Sequence, residues 1–244
     1  MSAPLELSLV IPVYNERDNL PALVEEIGRA LANRGGGGRY EIVAVDDGST
    51  DGSLDVLKAL KREHPEIHIV AFAANAGQTA AFAAGFAAAH GRVVVTLDAD
   101  LQNDPADIPV LVAELERSGA AAVVGYRVDR RDSGWKRLQS RIANGVRNRL
   151  NRERIRDTGC SLKAFRAEAL RALPLFNGMH RFLPTLVRMQ GSLVTEVPVH
   201  HRIRRFGKTK YGMWNRVFRA LIDALAVRWM QRRALRYRVR EELP

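Results

Sequence analysis

The first half of the chain alternates short apolar runs with longer segments in which apolar residues recur every three or four positions. Four apolar, β-forming runs predict strands, at residues 5–13, 41–45, 67–71 and 92–97. The helical spacing predicts helices between these strands, at residues 20–31, 54–60 and 78–90. Successive strand–helix units are typical of an α/β protein in which helices cover both faces of a mostly parallel sheet.

The fourth predicted strand leads into a polar loop and then into a helix with a clear start signal. Asp104, Pro105 and Asp107 take the N-cap, N1 and N3 positions of a helix at 108–118, which predicts a carboxylate capping box. In open α/β sheets, ligands bind beyond the carboxyl ends of the strands. Three polar loops fall at such ends, at residues 12–16, 46–51 and 98–102.

The second half of the chain follows a different pattern. An apolar stripe predicts a basic helix, and its residues are Leu138, Ile142, Val146 and Leu150. Residues 193–199 predict a further strand. We divide the chain into a main domain over 1–212, with halves at 1–125 and 126–212, and a helix with its tail over 213–244.

The last predicted helix, at 214–237, has an apolar face and many arginines elsewhere. The apolar face comprises Trp214, Val217, Phe218, Leu221, Ile222, Leu225, Trp229 and Met230. The helix has too many charges to span a bilayer, but it has the composition of a helix that lies in a membrane interface. The alternative is that the same face packs on the core of the domain.

The charge of the chain is divided along its length. The 244 residues carry a formal net charge of +11, but residues 1–125 hold 9 Lys and Arg against 18 Asp and Glu. Residues 126–156 hold 11 basic residues against 3 acidic ones, and residues 200–244 hold 13 against 3. This pattern fits a protein that holds a metal ion in one half and anions in the other. A nucleic-acid-binding protein, the alternative class, would leave the acidic half without a role.

Cysteine content and the chain start bear on location. The single cysteine, Cys160, excludes an intrachain disulfide, and the first residues lack the charged and apolar regions of a signal peptide. These features predict a cytosolic location. Together with the interfacial helix, they predict a peripheral protein at the cytoplasmic face of a membrane, without a transmembrane helix.

Two pairs of acids lie where strands are predicted to end. Asp98 and Asp100 flank one alanine and would repel each other unless a divalent cation lay between them, although one could instead cap a turn while the other is solvated. Asp46 and Asp47 begin the turn-rich segment VDDGSTDGS, in which Asp51 or Ser53 is the expected helix cap. The two consecutive acids could accept a hydrogen bond from a nucleobase and hold a ribose or the surroundings of a metal.

No glycine-rich phosphate cradle follows any predicted strand, so a bound diphosphate would need cationic side chains and a metal. Basic residues surround Ser140, namely Arg127, Arg130, Arg131, Lys136, Arg137 and Arg141. A second basic group surrounds Gly207, namely Arg202, Arg204, Arg205, Lys208 and Lys210. About half of these residues are adequately explained as solvated helix faces. The histidines His180, His200 and His201 lack metal-ligand spacing, which favours structural roles.

Six ordered segments, between about residues 5 and 230, resemble the polyprenyl-phosphate glycosyltransferases of family 2, the dolichol-phosphate mannosyltransferase type. The segments are VIPVYNE, VDDGSTDGS, ANAGQTAAFAAG, TLDADLQNDP, DTGCSLKAFR and VPVHHRIRRFGKTKYG. This resemblance implies the GT-A (Rossmann-like) α/β fold and an inverting transfer of a sugar from GDP-mannose or a UDP-sugar to dolichyl or undecaprenyl phosphate. Ile203, Ser161 and the lack of a transmembrane pair after Tyr237 depart from the family pattern.

The resemblance also implies roles for individual residues. The donor would be bound by Pro12, Tyr14, Glu16, Asp46, Asp47, Gly77, Gln78 and Lys210. Mg²⁺ or Mn²⁺ would be held on the diphosphate by Asp98, Asp100 and Gln102. The acceptor phosphate would be received by Arg127, Ser140 and either Lys136 or Arg137, with Arg204 closing over the phosphates. Asp157 would orient the acceptor-side arginines.

Several alternatives stay open at this stage. The acceptor could be another lipid or a cell-envelope molecule, and the chain could be a catalytically silent scaffold with the same fold. Residues 213–237 are the expected contact with the membrane surface. A membrane partner subunit or a homo-oligomer is a further possibility, while binding to nucleic acid is not expected.

Overall fold

A computed structural model describes residues 5–32, 39–128, 145, 147–151, 153–174, 176–203, 213–234 and 241, and over 213–220 it describes the backbone alone. The strands are β1 (Leu7–Val13), β2 (Tyr40–Asp46), β3 (Ile67–Ala71), β4 (Val93–Thr96), β5 (Ala122–Arg127), β6 (Lys163–Arg166) and β7 (Val194–Val199). The helices are α1 (Leu20–Ala32), α2 (Ser53–Glu63), α3 (Gln78–Ala88), α4 (Ile108–Ser118), α5 (Ala167–Arg171), α6 (Leu183–Met189) and α7 (Met213–Arg233).

The strands form one mixed sheet in the order β3-β2-β1-β4-β6-β5-β7. Every neighbouring pair is parallel except the two pairs that contain β6, which runs antiparallel to β4 and to β5. The carboxyl ends of the other six strands therefore lie at one edge of the sheet, together with the first residue of β6. The predicted α/β class and mostly parallel sheet are confirmed.

Helices cover both faces of the sheet, as the alternation along β2 illustrates. Ile42 and Ala44 point into a core layer under α1, α2 and α4, whereas Val43 and Val45 point into a second layer under α3, α5 and α6. Gly85 lets α3 approach the sheet closely, because a Cβ atom there would lie 2.3 Å from Val10 Cγ1 as the side chains stand. The helix that begins at the carboxyl edge is thus pressed firmly against β1.

Of the two hydrogen bonds that the predicted capping box before α4 requires, the structure contains one. Asp104 does cap the turn at 105–107, since its Oδ1 accepts a bond of 3.0 Å from the backbone N–H of Ala106. Asp107, however, does not return to the N-cap. Its carboxylate accepts from the backbone N–H of His200 at 2.6 Å and lies 2.8 Å from the His200 ring Nδ1. A partner 93 residues away, just past β7, has displaced the local one.

The last helix begins and ends close to its predicted limits, although Tyr237 lies outside the described residues. Ala224 and Val227 are buried in the second core layer, and Met230 packs against it. On the side away from the core, α7 exposes Leu221, Ile222, Leu225 and Trp229, of which Trp229 is 62% exposed. The predicted apolar face is thus divided, with Met230 on the core and these four residues on the surface. Among the described helices, none is both long and apolar enough to cross a membrane.

Candidate functional site

The loops after β1 and β2 are joined into one unit by bonds between backbone and side chains. The backbone N–H groups of Asn15 and Glu16 donate to the hydroxyls of Ser49 and Ser53, each at 3.0 Å. In return, the Asn15 side-chain oxygen accepts from Thr50 N–H at 2.8 Å. Asn15 adopts a positive φ of 53°, a conformation that asparagine tolerates better than most residues. These bonds hold Tyr14 and Glu16 beside the end of β2.

The two acids that end β2 have different surroundings although both are buried. Asp47 accepts from the backbone N–H groups of Ala76 and Gly77, at 2.6 and 3.0 Å, and from the Asn75 amide at 2.9 Å. Asp46 accepts from Ser49 N–H at 3.2 Å through Oδ2, while its buried Oδ1 has no hydrogen-bond partner among the residues that the structure describes. A buried carboxylate oxygen in this state is costly unless a ligand supplies a donor. Asp47 orders the loop before α3, and Asp46 retains an acceptor for a ligand.

Gly48 lies at the closest approach of these two loops. Its φ is +68°, and a Cβ atom there would lie 2.5 Å from the backbone of Ala74 and Asn75.

We expect Gly48→Ala to lower the melting temperature and weaken nucleotide binding. Gly119→Ala is the matched control, because Gly119 has a φ of +65° with nothing within 4 Å of the added Cβ. The control should lose only the cost of placing an L-residue in the left-handed conformation, roughly 1–2 kcal/mol. Equal losses in both variants, measured by thermal denaturation, would contradict a role for the close approach.

The loop after β4 carries the predicted metal ligands. The Gln78 side-chain amide, at the start of α3, donates to Asp98 Oδ1 at 2.9 Å, and the backbone N–H of Gln102 donates to Asp100 Oδ1 at 3.2 Å. Asp100 is buried, and Leu101 turns the chain with a positive φ of 58°. A strained turn of this kind costs of order 1–3 kcal/mol and is often found at functional sites.

The chemistry of these side chains fits a hard divalent cation. Two carboxylates and an amide oxygen are the ligands that Mg²⁺ and Mn²⁺ prefer. Gln78 binds Asp98, and the adjacent N–H groups of Ala76 and Gly77 bind Asp47, so the start of α3 holds one acid from each of the two loops. The residues present are consistent with the predicted ion.

Arg127, the last residue of β5, is partly buried and forms an ion pair with the buried Asp157. Its Nε and Nη2 donate to the two carboxylate oxygens of Asp157 at 2.6 and 2.9 Å. The backbone N–H of Gly159 also donates to Asp157, at 3.2 Å. Two parallel hydrogen bonds to one carboxylate fix the orientation of the guanidinium plane. The predicted orienting contact between Asp157 and Arg127 is thus present in the structure.

Lys163 is a buried lysine that the sequence did not single out. It begins β6 beside Thr96 of β4, and its Nζ donates to the backbone carbonyl of Cys160. Burial lowers the pKa of Lys163, while the charges of Asp98 and Asp157 act to raise it. Lys163 therefore lies close enough to Asp98 and Asp157 to interact electrostatically with both carboxylates.

Cys160 is predicted to be chemically silent in the native protein. Burial raises the pKa of its thiol to about 11, and the side chain is 1% exposed. Because the thiolate is the reactive form, a disulfide reagent at pH 8 should modify no thiol until the protein is denatured. Rapid modification in the native state would show that this part of the site opens readily.

The segment after β7 is attached to the loop that carries the candidate metal ligands. Asn103 and His201 form an antiparallel bridge, and the backbone N–H of Arg202 donates to Gln102 O at 2.8 Å. The Arg202 guanidinium pairs with Glu26 of α1 at 2.5 Å and with Asp104 at 2.6 Å. These contacts hold His201 and Arg202 beside the Gln102 loop.

The structure brings together most of the predicted donor and metal residues at the carboxyl edge of the sheet, with Arg127 at the same edge. Five predicted residues lie outside the described part of the chain, namely Lys136, Arg137, Ser140, Arg204 and Lys210. The histidines have structural contacts: His180 bonds Thr79, His200 pairs with Asp107, and His201 bridges to Asn103.

Comparisons with known proteins identify a family and its relatives. Residues 8–173 match the model of Glycosyl transferase family 2. A dodecaprenyl-phosphate galacturonate synthase of Rhizobium johnstonii is 41% identical over 93% of this chain and 68% of its own length. An undecaprenyl-phosphate 4-deoxy-4-formamido-L-arabinose transferase of Edwardsiella ictaluri is 40% identical over 85% of this chain and 63% of its own length. The chain therefore spans about two thirds of the length of these relatives.

Solved structures share the fold at lower identity. Glucosyl-3-phosphoglycerate synthase of Mycobacterium tuberculosis, in complex with Mg²⁺ and UDP, matches with a TM-score of 0.69 and 20% identity over 91% of this chain and 80% of that one. A mannosyltransferase of Pyrobaculum calidifontis, in complex with GDP-mannose and Mn²⁺, matches with a TM-score of 0.60 and 22% identity over 80% of this chain and 57% of that one. Both support the GT-A arrangement of the sheet and helices.

Proposed function

This chain belongs to glycosyl transferase family 2, and from that premise we propose that it transfers a sugar from a nucleoside-diphosphate sugar to a polyprenyl phosphate with inversion at the anomeric carbon. One observation supports this proposal best. Asp98 and Asp100 follow β4 and Arg127 ends β5, so an oxygen-ligand group for a cation and a fixed guanidinium lie at the same edge of the sheet, two strands apart. The two relatives that act on polyprenyl phosphates favour a lipid phosphate as the acceptor.

The donor is expected to lie across the ends of β1, β2 and β4. Asp46 Oδ1 would accept a hydrogen bond from the base, and Pro12, Tyr14 and Glu16 would line the nucleoside. Gly77 and Gln78 form the amino-terminal end of α3, where the Gln78 amide donates a hydrogen bond to Asp98. Uracil and guanine each offer an N–H donor beside a carbonyl, so both UDP- and GDP-sugars are candidates.

Mg²⁺ or Mn²⁺, held by Asp98, Asp100 and Gln102, would supply positive charge to the leaving diphosphate. Beyond the described residues, Arg204 and Lys210 are proposed to add to that charge. Arg202, two positions before Arg204, is held beside the Gln102 loop by its ion pairs with Glu26 and Asp104.

The acceptor needs positioning more than it needs a base. A phosphate monoester has a second pKa near 6, so about nine-tenths of it is a dianion at pH 7. An oxygen of that dianion attacks the anomeric carbon while the bond from that carbon to the diphosphate breaks, and the nucleoside diphosphate leaves with the electron pair. Arg127, held by Asp157, would orient the dianion in line with the bond that breaks. Lys136 or Arg137, with Ser140, would complete this phosphate site.

A ligand screen tests the proposed function directly. Binding to the native state raises the melting temperature by mass action, so nucleoside diphosphates should stabilise the protein only in the presence of Mn²⁺ or Mg²⁺. The stabilising nucleotide then identifies the sugar donors to assay with undecaprenyl phosphate. Transfer of a radiolabelled sugar to the organic phase is the expected result. No stabilisation by UDP or GDP with Mn²⁺, together with no transfer, would overturn the proposal.

We also propose that the protein meets the membrane through the exposed stripe of α7, defined as Leu221, Ile222, Leu225 and Trp229. These residues are spaced to share one side of the helix, while Ala224 and Val227 face the core. Arg232 and Arg233 end the same helix, and Arg233 lies 5.9 Å from the Trp229 ring. An apolar stripe beside arginines is the composition that binds anionic lipid surfaces, and a lipid phosphate acceptor would place the enzyme there.

The membrane contact is tested by substitutions that leave the core side of α7 intact. The double variant Leu225→Ser and Trp229→Ser should bind anionic vesicles with an apparent affinity at least ~10-fold lower, because two large apolar side chains no longer enter the interface. The affinity is measured by sedimentation with the vesicles. Val110→Ser, which alters an exposed residue of α4, is the control. Unchanged sedimentation of the double variant would contradict the proposed contact.

A further inference from the structure

A second group of metal-ligating side chains lies at the opposite edge of the sheet. Glu41 near the start of β2, His68 in β3 and His90 before β4 each bring one ligand atom to within 4.8 Å of the others. Glu41 precedes Asp46, at the carboxyl end of β2, by five positions, or roughly 16 Å along the strand. The group is therefore separate from the proposed nucleotide and metal residues.

The Glu41 carboxylate is already oriented for a ligand role. Its Oε1 accepts from the Ser8 hydroxyl at 2.6 Å and from the backbone N–H of His90 at 2.7 Å. The Ser8 oxygen is held in turn by the backbone N–H of Gly91 at 2.8 Å. The other carboxylate oxygen, Oε2, lies 3.5 Å from the His90 ring Nδ1. Hydrogen bonds of this kind, which orient a ligand from behind, are typical of metal sites.

The two imidazoles are near each other but not tightly packed. The His68 and His90 rings stack with centroids 6.3 Å apart, and the His90 side chain is 66% exposed. Tetrahedral coordination needs ligand atoms roughly 3.3 Å apart, which follows from metal–ligand bonds of about 2.0–2.1 Å. Metal binding at this place would require rotation of the exposed His90 ring and the half-buried His68 ring to bring their nitrogens closer together.

We propose that Glu41, His68 and His90 bind a borderline divalent transition metal, of which Zn²⁺ is the representative. Imidazole nitrogen with one carboxylate suits Zn²⁺, Co²⁺ or Ni²⁺, whereas Mg²⁺ and Ca²⁺ prefer oxygen ligands alone. Three protein ligands leave a fourth position for water. The ligand chemistry thus separates this site from the oxygen-only residues Asp98, Asp100 and Gln102.

The position of the site suggests what the metal does. It joins β2, β3 and the connection after α3, three segments that are otherwise held here by hydrogen bonds. The carbonyls at the carboxyl end of α3 add a negative potential that favours a cation. The amino end of the same helix carries Gly77 and Gln78, so a metal at His90 anchors the far end of the helix that supports the donor loops.

Cobalt and zinc binding to the full chain tests the site. Protein stripped with a chelator should bind one equivalent of Co²⁺ with visible absorption bands of four-coordinate geometry, and Zn²⁺ should displace it. His90→Gln should abolish these bands and weaken Zn²⁺ binding by more than ~100-fold, since loss of a group that only orients a ligand already costs ~10–100-fold. Since the His90 side chain is exposed, this variant should fold normally.

Two controls make the result decisive. Asp100→Asn should keep the four-coordinate Co²⁺ bands, which separates this site from the nucleotide metal. His64→Ala, which removes a histidine outside the group, should also keep them and keep the rise in melting temperature with Zn²⁺. The proposal is overturned if wild-type protein shows no four-coordinate Co²⁺ bands, or if His90→Gln and His68→Gln bind Zn²⁺ as tightly as wild type.

Discussion

Asp100→Asn is expected to reduce sugar transfer by about three orders of magnitude while leaving the fold intact. Electrostatic stabilisation of the charge that develops on a leaving group is among the largest contributions to catalysis. Loss of a single hydrogen bond to such a charge already lowers the rate on the order of 10²–10³-fold. Asn has the same shape as Asp and can still accept from the backbone N–H of Gln102. The loop therefore keeps that bond, and the unliganded variant should melt close to the wild-type temperature.

The measurement has two parts, which must agree. Turnover is followed with saturating donor and undecaprenyl phosphate over a range of Mn²⁺ concentrations, and stabilisation by nucleoside diphosphate is followed with and without Mn²⁺. Asp55→Asn, which alters an exposed acid on α2, is the control and should behave as wild type. Transfer at the wild-type rate by Asp100→Asn would remove Asp100 from the metal assignment.

The second large effect is expected where Arg127 meets Asp157. Asp157→Asn leaves the guanidinium without its bidentate partner, and breaking a buried ion pair from one side costs about 3–5 kcal/mol. For a chain of this length, that cost lowers the melting temperature by roughly 6–20 °C. The KM for the polyprenyl phosphate should also rise, because the Arg127 guanidinium is no longer fixed in the orientation that binds the acceptor phosphate. Donor affinity, measured by calorimetry, should change little.

Two further variants separate stability from acceptor binding. Glu153→Gln weakens another buried ion pair, with Arg147 at 2.9 Å, and should lower the melting temperature without a selective rise in the acceptor KM. The double variant Arg127→Met and Asp157→Leu removes both charges, so it should regain stability relative to Asp157→Asn without regaining activity. Recovery of both properties in the double variant would make Arg127 a structural residue only.

The order of strands and helices from β1 to α4 was readable from the sequence because the signals are local, whereas β5 and β6 were not predicted. Apolar alternation and helical spacing report which side of an element is buried, and they need no knowledge of distant residues. The rule that ligands bind beyond the carboxyl ends of parallel strands then placed Asp46, Asp98 and Asp100 together before any contact was known. Boundaries shifted by one to three residues, as with β1, which begins at Leu7.

The direction of β6 and the roles of neighbouring acids were not readable in this way. β6 is four residues long, and its antiparallel direction depends on where the chain re-enters the sheet after residue 162. Asp46 and Asp47 are adjacent and identical in type, yet only Asp47 meets the loop at 75–77. Asp107 had a local cap available, but it pairs with His200 because β7 ends beside it.

The sequence by itself determined the α/β class, the family resemblance and the loops that carry the chemistry, because periodicity and ordered motifs are properties of neighbouring residues. Only the tertiary structure decided which side of α7 meets the core, how Asp157 directs Arg127, and that Glu41, His68 and His90 converge. These outcomes depend on contacts between residues far apart in the chain. Such contacts form only when the sheet assembles, so no local pattern records them.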